Sequence, residues 1–328
     1  MSKQVELGSS GMKIYPVGLG CMGFSHAYGA PTEKSEAVKS IRAAYDMGYN
    51  FFDTAECYTG INADGSTSYN EELVGEALHD VRNRVIIATK CGVQHSPKGL
   101  LTDSRPETIR QSVEGSLKRL NTECIDLYYQ HRIDPKVPAE DVAGVMGDLI
   151  REGKIRAWGI SETDEAYLRR AHAVTPVAAI QNRYSMMARD WECLFSALEE
   201  MKITFVAFSP LANGILSDAY KKGDSFDATT DYRSHMPQYQ PEAFDANQAL
   251  FDSIRELAQE KRATPAQISL AWIICKQPAM VPIPGSRKLE RMKENHGAGA
   301  ITLSTEEVHA IDAKLDTLNM SGMYGKKQ

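Results

Sequence analysis

Eight short strand-like runs alternate along the chain with segments of helical periodicity. Parallel strands need crossover connections, usually helices, and a sheet that closes on itself leaves no exposed edge. The alternation therefore predicts an α/β fold, a (β/α)8 TIM barrel, with residues 1–328 as one barrel domain. The predicted strands are residues 17–20, 51–52, 85–88, 125–129, 155–160, 178–181, 204–208 and 281–283.

A doubly wound parallel sheet is the competing architecture for the same alternation. It requires a glycine-rich phosphate turn between the first strand and a helix. Residues 18–23 match the pattern G-x-G-x-x-G only loosely, because no helix follows them directly. We therefore interpret these glycines as a tight strand exit beneath a ligand, which favours the barrel.

Two segments outside the strands carry their own signals. Residues 4–15 hold two short apolar runs on either side of a Gly-Ser-Ser-Gly turn, which predicts an N-terminal β-hairpin at the bottom of the barrel. Residues 217–241 have no convincing periodicity. A loop of this length inside a compact domain is usually a lid or a binding loop.

Two helix starts have the spacing of a capping box, in which an N-cap hydroxyl and a side chain three residues later satisfy each other's backbone N–H groups. Ser104 with Glu107 predicts a helix over residues 108–120, and Thr264 with Gln267 predicts another that extends through residue 274.

Composition limits the classes of partner. The formal net charge of −6 argues against nucleic acid or an anionic membrane as the main partner. The six cysteines are scattered, with no C-x-x-C pair and no zinc-type spacing, which indicates reduced thiols and predicts no metal site. No apolar stretch could span a bilayer and no signal-peptide core is present, so we expect a cytoplasmic protein. The oligomeric state stays open.

Four polar residues follow closely on predicted strands: Asp53, Tyr58, Lys90 and His131. In a barrel, all such strand ends meet at one rim. A free phenol has a pKa of about 10, and we expect the Lys90 cation to lower that of Tyr58. Asp53 would keep Lys90 charged, and His131 would orient a carbonyl oxygen. Each residue alone could be structural, but together they predict a proton-transfer site.

Two more groups of residues suggest binding. Ser161 and Gln181 end two predicted strands, and with the flat ring of Phe208 they could hold an aromatic ring that carries a carboxamide. After the last strand, Ser286, Arg287 and Arg291 lie near a helix start and could bind a phosphate monoester. A solvated basic helix face is the alternative interpretation of this last group.

The motifs together resemble the aldo-keto reductase superfamily over nearly the full length of the chain. The segments that carry the resemblance are residues 18–23, 52–58, 70–75, 127–134 and 282–287. Residues 137–138, 170–174 and 189–190 make the chain similar to the branch of perakine reductase and pyridoxal reductase-like enzymes.

The resemblance implies NADPH-dependent reduction of an aldehyde or ketone, a small-molecule carbonyl substrate, with Tyr58 as the general acid. Asp53, Lys90 and His131 would complete the catalytic set. By the same resemblance, residues 211–216 would cover the pyrophosphate and Ser286 with Arg291 would bind the 2′-phosphate. The implied cofactor-binding residues are Ser161, Gln181, Phe208, Ser209, Leu211, Gly214, Gly285, Ser286, Arg287, Arg291, Glu294 and Asn295.

The chain departs from the family pattern at two places. Glu162 stands where many members carry asparagine, and residues 59–69 form a longer loop after the tyrosine. We expect His26, Tyr28 and Tyr184 to line the substrate pocket. Two other functions stay open: a barrel aldolase in which Lys90 forms a Schiff base, and a nucleotide-sensing subunit of reductase shape.

Overall fold

Eight parallel strands form one sheet in the computed structural model, which describes residues 4–96 and 99–323. The strands of the protein, in chain order, are β1 (Val5–Glu6), β2 (Lys13–Ile14), β3 (Leu19–Gly20), β4 (Phe51–Asp53), β5 (Thr59–Ile61), β6 (Thr67–Tyr69), β7 (Ile86–Cys91), β8 (Val93–Ser96), β9 (Gly99–Thr102), β10 (Ile125–Gln130), β11 (Ile155–Ser161), β12 (Ala179–Arg183), β13 (Thr204–Phe208) and β14 (Met280–Pro282). The parallel sheet runs in the order β3-β4-β7-β10-β11-β12-β13-β14. These are the eight strands predicted from the sequence, with ends that shift by a few residues.

The sheet closes through backbone hydrogen bonds between its first and last strands. The amide of Gly18 donates to Pro282 O at 3.0 Å, and the amide of Gly20 donates to Pro284 O at 3.3 Å. A Cβ on Gly20 would lie 2.8 Å from Ile283 O, and a Cβ on Gly285 would lie 2.8 Å from Gly20 O. The glycines that resembled a phosphate turn are therefore needed for close approach of the two strands, and the predicted (β/α)8 barrel is confirmed.

Helices lie between successive barrel strands and cover the barrel from outside. They are α1 (Lys34–Asp46), α2 (Asn70–Leu78), α3 (Pro106–Leu120), α4 (Ala139–Arg151), α5 (Glu165–Val174), α6 (Phe195–Met201), α7 (Pro241–Ala246), α8 (Gln248–Lys261), α9 (Pro265–Lys276), α10 (Leu289–Gly297) and α11 (Thr305–Thr317). Among the described residues, no helix has both the length and the apolar character that a bilayer-spanning segment requires.

One of the two predicted capping boxes forms. Thr264 caps α9, and its reciprocal hydrogen bonds with Gln267 are both present. The box predicted at Ser104 is wrong, because α3 starts at Pro106 with Arg105 as its N-cap. The Ser104 hydroxyl instead accepts a hydrogen bond from Gln130 Nε2 at the end of β10. The hydroxyl that the sequence pattern predicts as a helix cap is therefore used in a tertiary contact.

The N-terminal hairpin β1–β2 closes the bottom of the barrel, as predicted. Its apolar residues Val5, Leu7, Met12 and Ile14 pack with side chains inside the barrel. The amide of Gly8 donates to the hydroxyl of Thr204, at the first residue of β13, at 2.8 Å. The opposite end of the barrel, where the strands end, is therefore the open one.

Loops after the strands build up the open rim. Residues 59–69 form the hairpin β5–β6, and β8 pairs with β9 in a second hairpin. The long loop predicted over residues 217–241 contains short helical turns and is joined to the loop after β3, because the amide of Tyr232 donates to Ala27 O at 2.9 Å. Arg233 anchors this contact: its guanidinium pairs with Asp231 at 2.5 Å and lies over the Phe226 ring.

The strand contact at Gly20 provides a stability test. We expect Gly20→Ala to destabilise the protein by about 1–3 kcal/mol, because the added methyl would overlap the backbone of the last strand. Gly144→Ala in α4 is the matched control, since nothing lies within 4 Å of its Cβ position and alanine favours a helix by about 1 kcal/mol. Urea unfolding measures both. Equal effects would contradict the role given to Gly20.

Candidate active site

Neighbouring strands bring the predicted catalytic residues to one part of the rim. Asp53 ends β4, Lys90 lies near the end of the adjacent strand β7, and His131 directly follows β10, which pairs with β7. Tyr58 lies in the loop between β4 and β5. Parallel pairing thus places four residues that are distant in sequence around one point.

Lys90 is the centre of this group. Its side chain is fully buried, and its Nζ donates to Asp53 Oδ1 at 2.5 Å, Thr54 O at 2.7 Å and the Tyr58 hydroxyl at 3.2 Å. Burial acts to lower the pKa of Lys90, but the charge and hydrogen bonds of Asp53 outweigh it and raise the pKa. All three ammonium protons therefore have acceptors. This arrangement suits a charged lysine, whereas Schiff-base formation needs a neutral amine.

The acidity of Tyr58 differs from the sequence expectation. Burial raises the pKa of Tyr58 to about 12, although the Lys90 charge acts in the opposite direction. The loss of water around a phenolate outweighs the nearby cation in the free protein. Tyr58 consequently keeps its proton throughout the neutral range, and Lys90 is placed to stabilise the phenolate once that proton has left.

His131 lies beside the phenol as a neutral imidazole. Its ring meets the Tyr58 ring edge to face at 5.7 Å, and its Nδ1 is 3.4 Å from Cys57 Sγ. Burial, with smaller contributions from the Arg132 and Lys90 charges, lowers the pKa of His131 well below its ordinary value. At neutral pH, His131 therefore carries one ring N–H, which is a hydrogen-bond donor without a charge.

Ser161, Gln181 and Phe208 also come together at the rim. The Ser161 hydroxyl donates to Gln181 O at 2.9 Å. The Gln181 side-chain amide donates to Asp53 Oδ2 at 2.7 Å, a contact that the sequence did not indicate. Gln181 thus adjoins the proton-transfer group directly, and Ser161 adjoins it through Gln181.

Arg132 is a site residue that the sequence reasoning missed. Its guanidinium donates to Ser161 Oγ at 3.0 Å, pairs with Glu162 at 3.4 Å, and lies 6.0 Å from the centre of the Phe208 ring. Glu162 has a left-handed backbone with φ of 54°. The available signal was the position of Arg132, a cation immediately after the strand-end residue His131.

The residues predicted to bind a phosphate lie where α10 begins. Arg291 is 40% exposed in the first turn of α10 and pairs with Glu294 at 2.6 Å. Ser286 is half-buried just before this helix, where its hydroxyl accepts from the Lys288 amide at 3.1 Å, and Asn295 is buried on the helix. A helix N-terminus with a hydroxyl and a partly exposed guanidinium suits a phosphate group.

Two residues of the predicted cofactor group have structural partners instead. The guanidinium of Arg287 is half-buried and donates to the backbone oxygens of Gly23 and Ala30. Arg287 therefore holds the loop after β3 and does not point freely toward a phosphate. Gly285 packs against Gly20 at the closure of the barrel.

The segment after β13 turns sharply at the rim. Ser209 has a φ of 49° and Gly214 a φ of 108°, both in the left-handed region, while Leu211 is buried between them. The side-chain amide of Asn213 donates to the Tyr28 hydroxyl at 2.8 Å. This segment is thereby tied to the loop after β3.

The three predicted substrate residues have different positions. His26 lies at the pocket, with its ring nearly parallel to that of Tyr58 at 6.1 Å. Tyr28 holds the rim loops through Asn213 and Arg233. Tyr184 is fully buried and stacks on Trp272 at 5.3 Å. Because its ring packs between the barrel and helix α9, the prediction that Tyr184 lines the pocket is corrected.

Two rim residues beside His26 were not foreseen. The His95 ring lies 4.7 Å from that of His26, and the Tyr232 ring lies 5.9 Å from it, edge to face. They come from the hairpin β8–β9 and from the long loop, whose pairing the sequence does not specify. Rings therefore surround the approach to Tyr58.

Asp53 should contribute strongly to stability. Removing it in Asp53→Ala leaves the Lys90 charge buried without a counter-charge, which we expect to cost about 3–5 kcal/mol in the free energy of unfolding. Urea unfolding measures this loss. The control is Glu200→Ala, which breaks an exposed pair with Arg169 and should cost at most about 1 kcal/mol. If both variants lost a similarly small free energy of unfolding, the Asp53–Lys90 pair would not be important for stability.

Comparison with known proteins agrees with this geometry. The sequence profile of the Aldo/keto reductase family matches residues 16–316. The chain is 38% identical over 312 residues to the probable aldo-keto reductase 1 of Glycine max, covering 94% of this chain and 87% of that protein.

Solved structures give the same likeness in three dimensions. The glycerol dehydrogenase of Gluconobacter oxydans superposes with a TM-score of 0.84 at 27% identity, over 99% of this chain and 98% of that one. An aldo-keto reductase of Klebsiella pneumoniae in complex with NADPH superposes with a TM-score of 0.73 at 26% identity, over 96% and 95%.

Proposed function

The chain belongs to the aldo/keto reductase family, and from this premise we propose that it reduces an aldehyde or ketone with NADPH, with Tyr58 as the general acid. The observation that carries the proposal is the fully buried Lys90, which is hydrogen-bonded to both Asp53 and the Tyr58 hydroxyl. A charged lysine held in this way can stabilise a tyrosinate, which is the form that Tyr58 takes after it gives up its proton.

The chain's residues divide the proton chemistry among them. Tyr58 donates its hydroxyl proton to the carbonyl oxygen, and the neutral N–H of His131 hydrogen-bonds to the same oxygen. Lys90 stabilises the phenolate that remains, and Tyr58 regains a proton from solvent. Bound NADPH supplies the hydride for the carbonyl carbon, so that one hydride and one proton convert C=O to CH–OH.

The residues present suit this cofactor. Ser161 and Gln181 offer polar groups at the proton-transfer site, and the Phe208 face is only partly buried beside them. Ser286 and Arg291 offer a hydroxyl and a guanidinium at the start of α10, where a 2′-phosphate would find donors. Arg287 is left out of this set, because its Nε and Nη1 donate to loop carbonyls and its Nη2 is buried.

We also infer a single barrel domain that acts in the cytoplasm on a small carbonyl compound. Closure of the sheet between β3 and β14 supports one domain, since both ends of the chain contribute to it. The six cysteines are free thiols, and reduced thiols are typical of cytoplasmic proteins.

Tyr58→Phe tests the role of the phenol. We expect carbonyl reduction to fall by a factor of about 10² to 10⁴, since a general acid contributes this much. NADPH affinity should change little, because the phenol acts on the substrate oxygen. The rate of reduction is measured on a panel of aldehydes by the decrease in NADPH absorbance. NADPH affinity is measured by fluorescence titration.

Tyr45→Phe on the outer helix α1 is the control and should keep wild-type turnover. Retained turnover in Tyr58→Phe would remove Tyr58 from the mechanism. NADPH binding by the wild type without reduction of any carbonyl compound would favour the nucleotide-sensing subunit.

Arg291→Ala tests the cofactor preference. We expect the wild type to bind NADPH at least tenfold more tightly than NADH, because charge-assisted hydrogen bonds contribute about 1.5–3 kcal/mol. Arg291→Ala should lose most of this preference. Lys293→Ala, which removes another positive charge from α10, should keep it. Equal loss in the two variants would indicate a general effect of charge and no specific 2′-phosphate contact.

A further inference from the structure

Asp53 receives hydrogen bonds from two different parts of the barrel. Its Oδ1 accepts from Lys90 on the adjacent strand β7 at 2.5 Å, and its Oδ2 accepts from Gln181 Nε2 at 2.7 Å. Gln181 lies on β12, four strands away from β4 in the sheet order, so this contact crosses the interior of the barrel. Asp53 and Gln181 are each only 3% exposed, and water therefore competes little for the bond.

The contact with Asp53 determines which way the Gln181 amide faces. An ionised carboxylate only accepts hydrogen bonds, so the group directed at Asp53 must be the NH₂ of the amide. The carbonyl oxygen, Oε1, is then turned away from Asp53. The Gln181 side chain also lies within hydrogen-bonding reach of the buried Tyr129 hydroxyl. Its Oε1, on the side of the amide away from Asp53, remains an acceptor.

The backbone at Gln181 is held in place as well. Gln181 pairs with Ser161 across strands β11 and β12, and the Ser161 hydroxyl donates to Gln181 O at 2.9 Å. The side chain therefore starts from a defined position at the rim. With the backbone and the NH₂ group both engaged, the orientation of the Gln181 amide is fixed.

We propose that Asp53 is a positioning residue for the cofactor: by holding the NH₂ of Gln181, it presents Gln181 Oε1 as an acceptor for an N–H of the nicotinamide carboxamide. This inference rests on the proposed function. The Asp53 carboxylate then orients both Lys90, which supports the general acid Tyr58, and the Gln181 amide, which would bind the nicotinamide carboxamide. Cofactor recognition and proton transfer share a hydrogen-bonded chain from Gln181 through Asp53 and Lys90 to Tyr58.

The probe is a matched pair of reduced cofactors. NADPH carries the carboxamide, and reduced 3-acetylpyridine adenine dinucleotide phosphate replaces its NH₂ with a methyl group. The analogue keeps the ring, the carbonyl group attached to it and all the phosphates, but it has no carboxamide N–H to donate. Dissociation constants of both compounds, measured by fluorescence titration without substrate, report the contact at Oε1 separately from catalysis.

We expect the wild type to bind NADPH about two- to tenfold more tightly than the analogue, the range for one neutral hydrogen bond. Gln181→Ala should bind both equally, since the acceptor is gone. Asp53→Asn should also bring the ratio close to one. An asparagine at 53 can accept or donate, so the Gln181 amide is free to turn.

Two controls separate this effect from others. Lys90→Met removes the neighbouring cation but keeps Asp53 and Gln181, and it should retain the wild-type ratio. The double variant Asp53→Asn/Gln181→Ala should have the same ratio as Gln181→Ala alone. Thermal unfolding checks that each variant is folded. If Asp53→Asn is not, Asp53→Asn/Lys90→Met, which leaves no unpaired buried charge, takes its place, with Lys90→Met alone as its control.

The outcomes distinguish the two proposals. A wild type that binds no NADPH would overturn the proposed function together with this inference. A wild type that binds NADPH but keeps an unchanged ratio in Gln181→Ala or in Asp53→Asn would overturn only the role given to Asp53. Loss of the ratio in Lys90→Met would also overturn it, because the effect would then come from charge.

Discussion

The buried ion pair between Asp53 and Lys90 is the interaction on which the rest of the site depends. Taking two charges out of water costs several kcal/mol per ion unless hydrogen bonds and geometry compensate. Here all three protons of Lys90 have acceptors, and both oxygens of Asp53 have donors. Neither group can move without leaving an unpaired buried charge. The pair therefore holds the Tyr58 hydroxyl and the Gln181 amide in fixed positions.

Burial also selects the protonation state of each group. It raises the pKa of Tyr58 and lowers that of His131, so both favour their neutral forms. Lys90 stays charged because Asp53 compensates for the lost water. The result at neutral pH is a protonated phenol hydrogen-bonded to an ammonium, with a neutral imidazole in contact with the phenol ring.

The rim is built by contacts between distant segments. Close approach at Gly20 and Gly285 joins the first strand to the last, and this closure directs all the strand ends to one face. Above it, the guanidinium of Arg287 holds the loop after β3, and Arg233 holds the long loop against it. These two arginines thus anchor the loops. The rings of His26, His95 and Tyr232 lie beside the approach to Tyr58.

The eight strands and the strand-end positions of Asp53, Lys90 and His131 follow from the sequence alone, because local periodicity and parallel pairing are enough to place them. The tertiary structure alone decided the raised pKa of Tyr58, the position of Tyr184 in the core and the bond from Gln181 to Asp53. These features depend on which side chains meet across the barrel and on how much water they exclude. Local pattern carries no information about either, since both arise only once the sheet has closed.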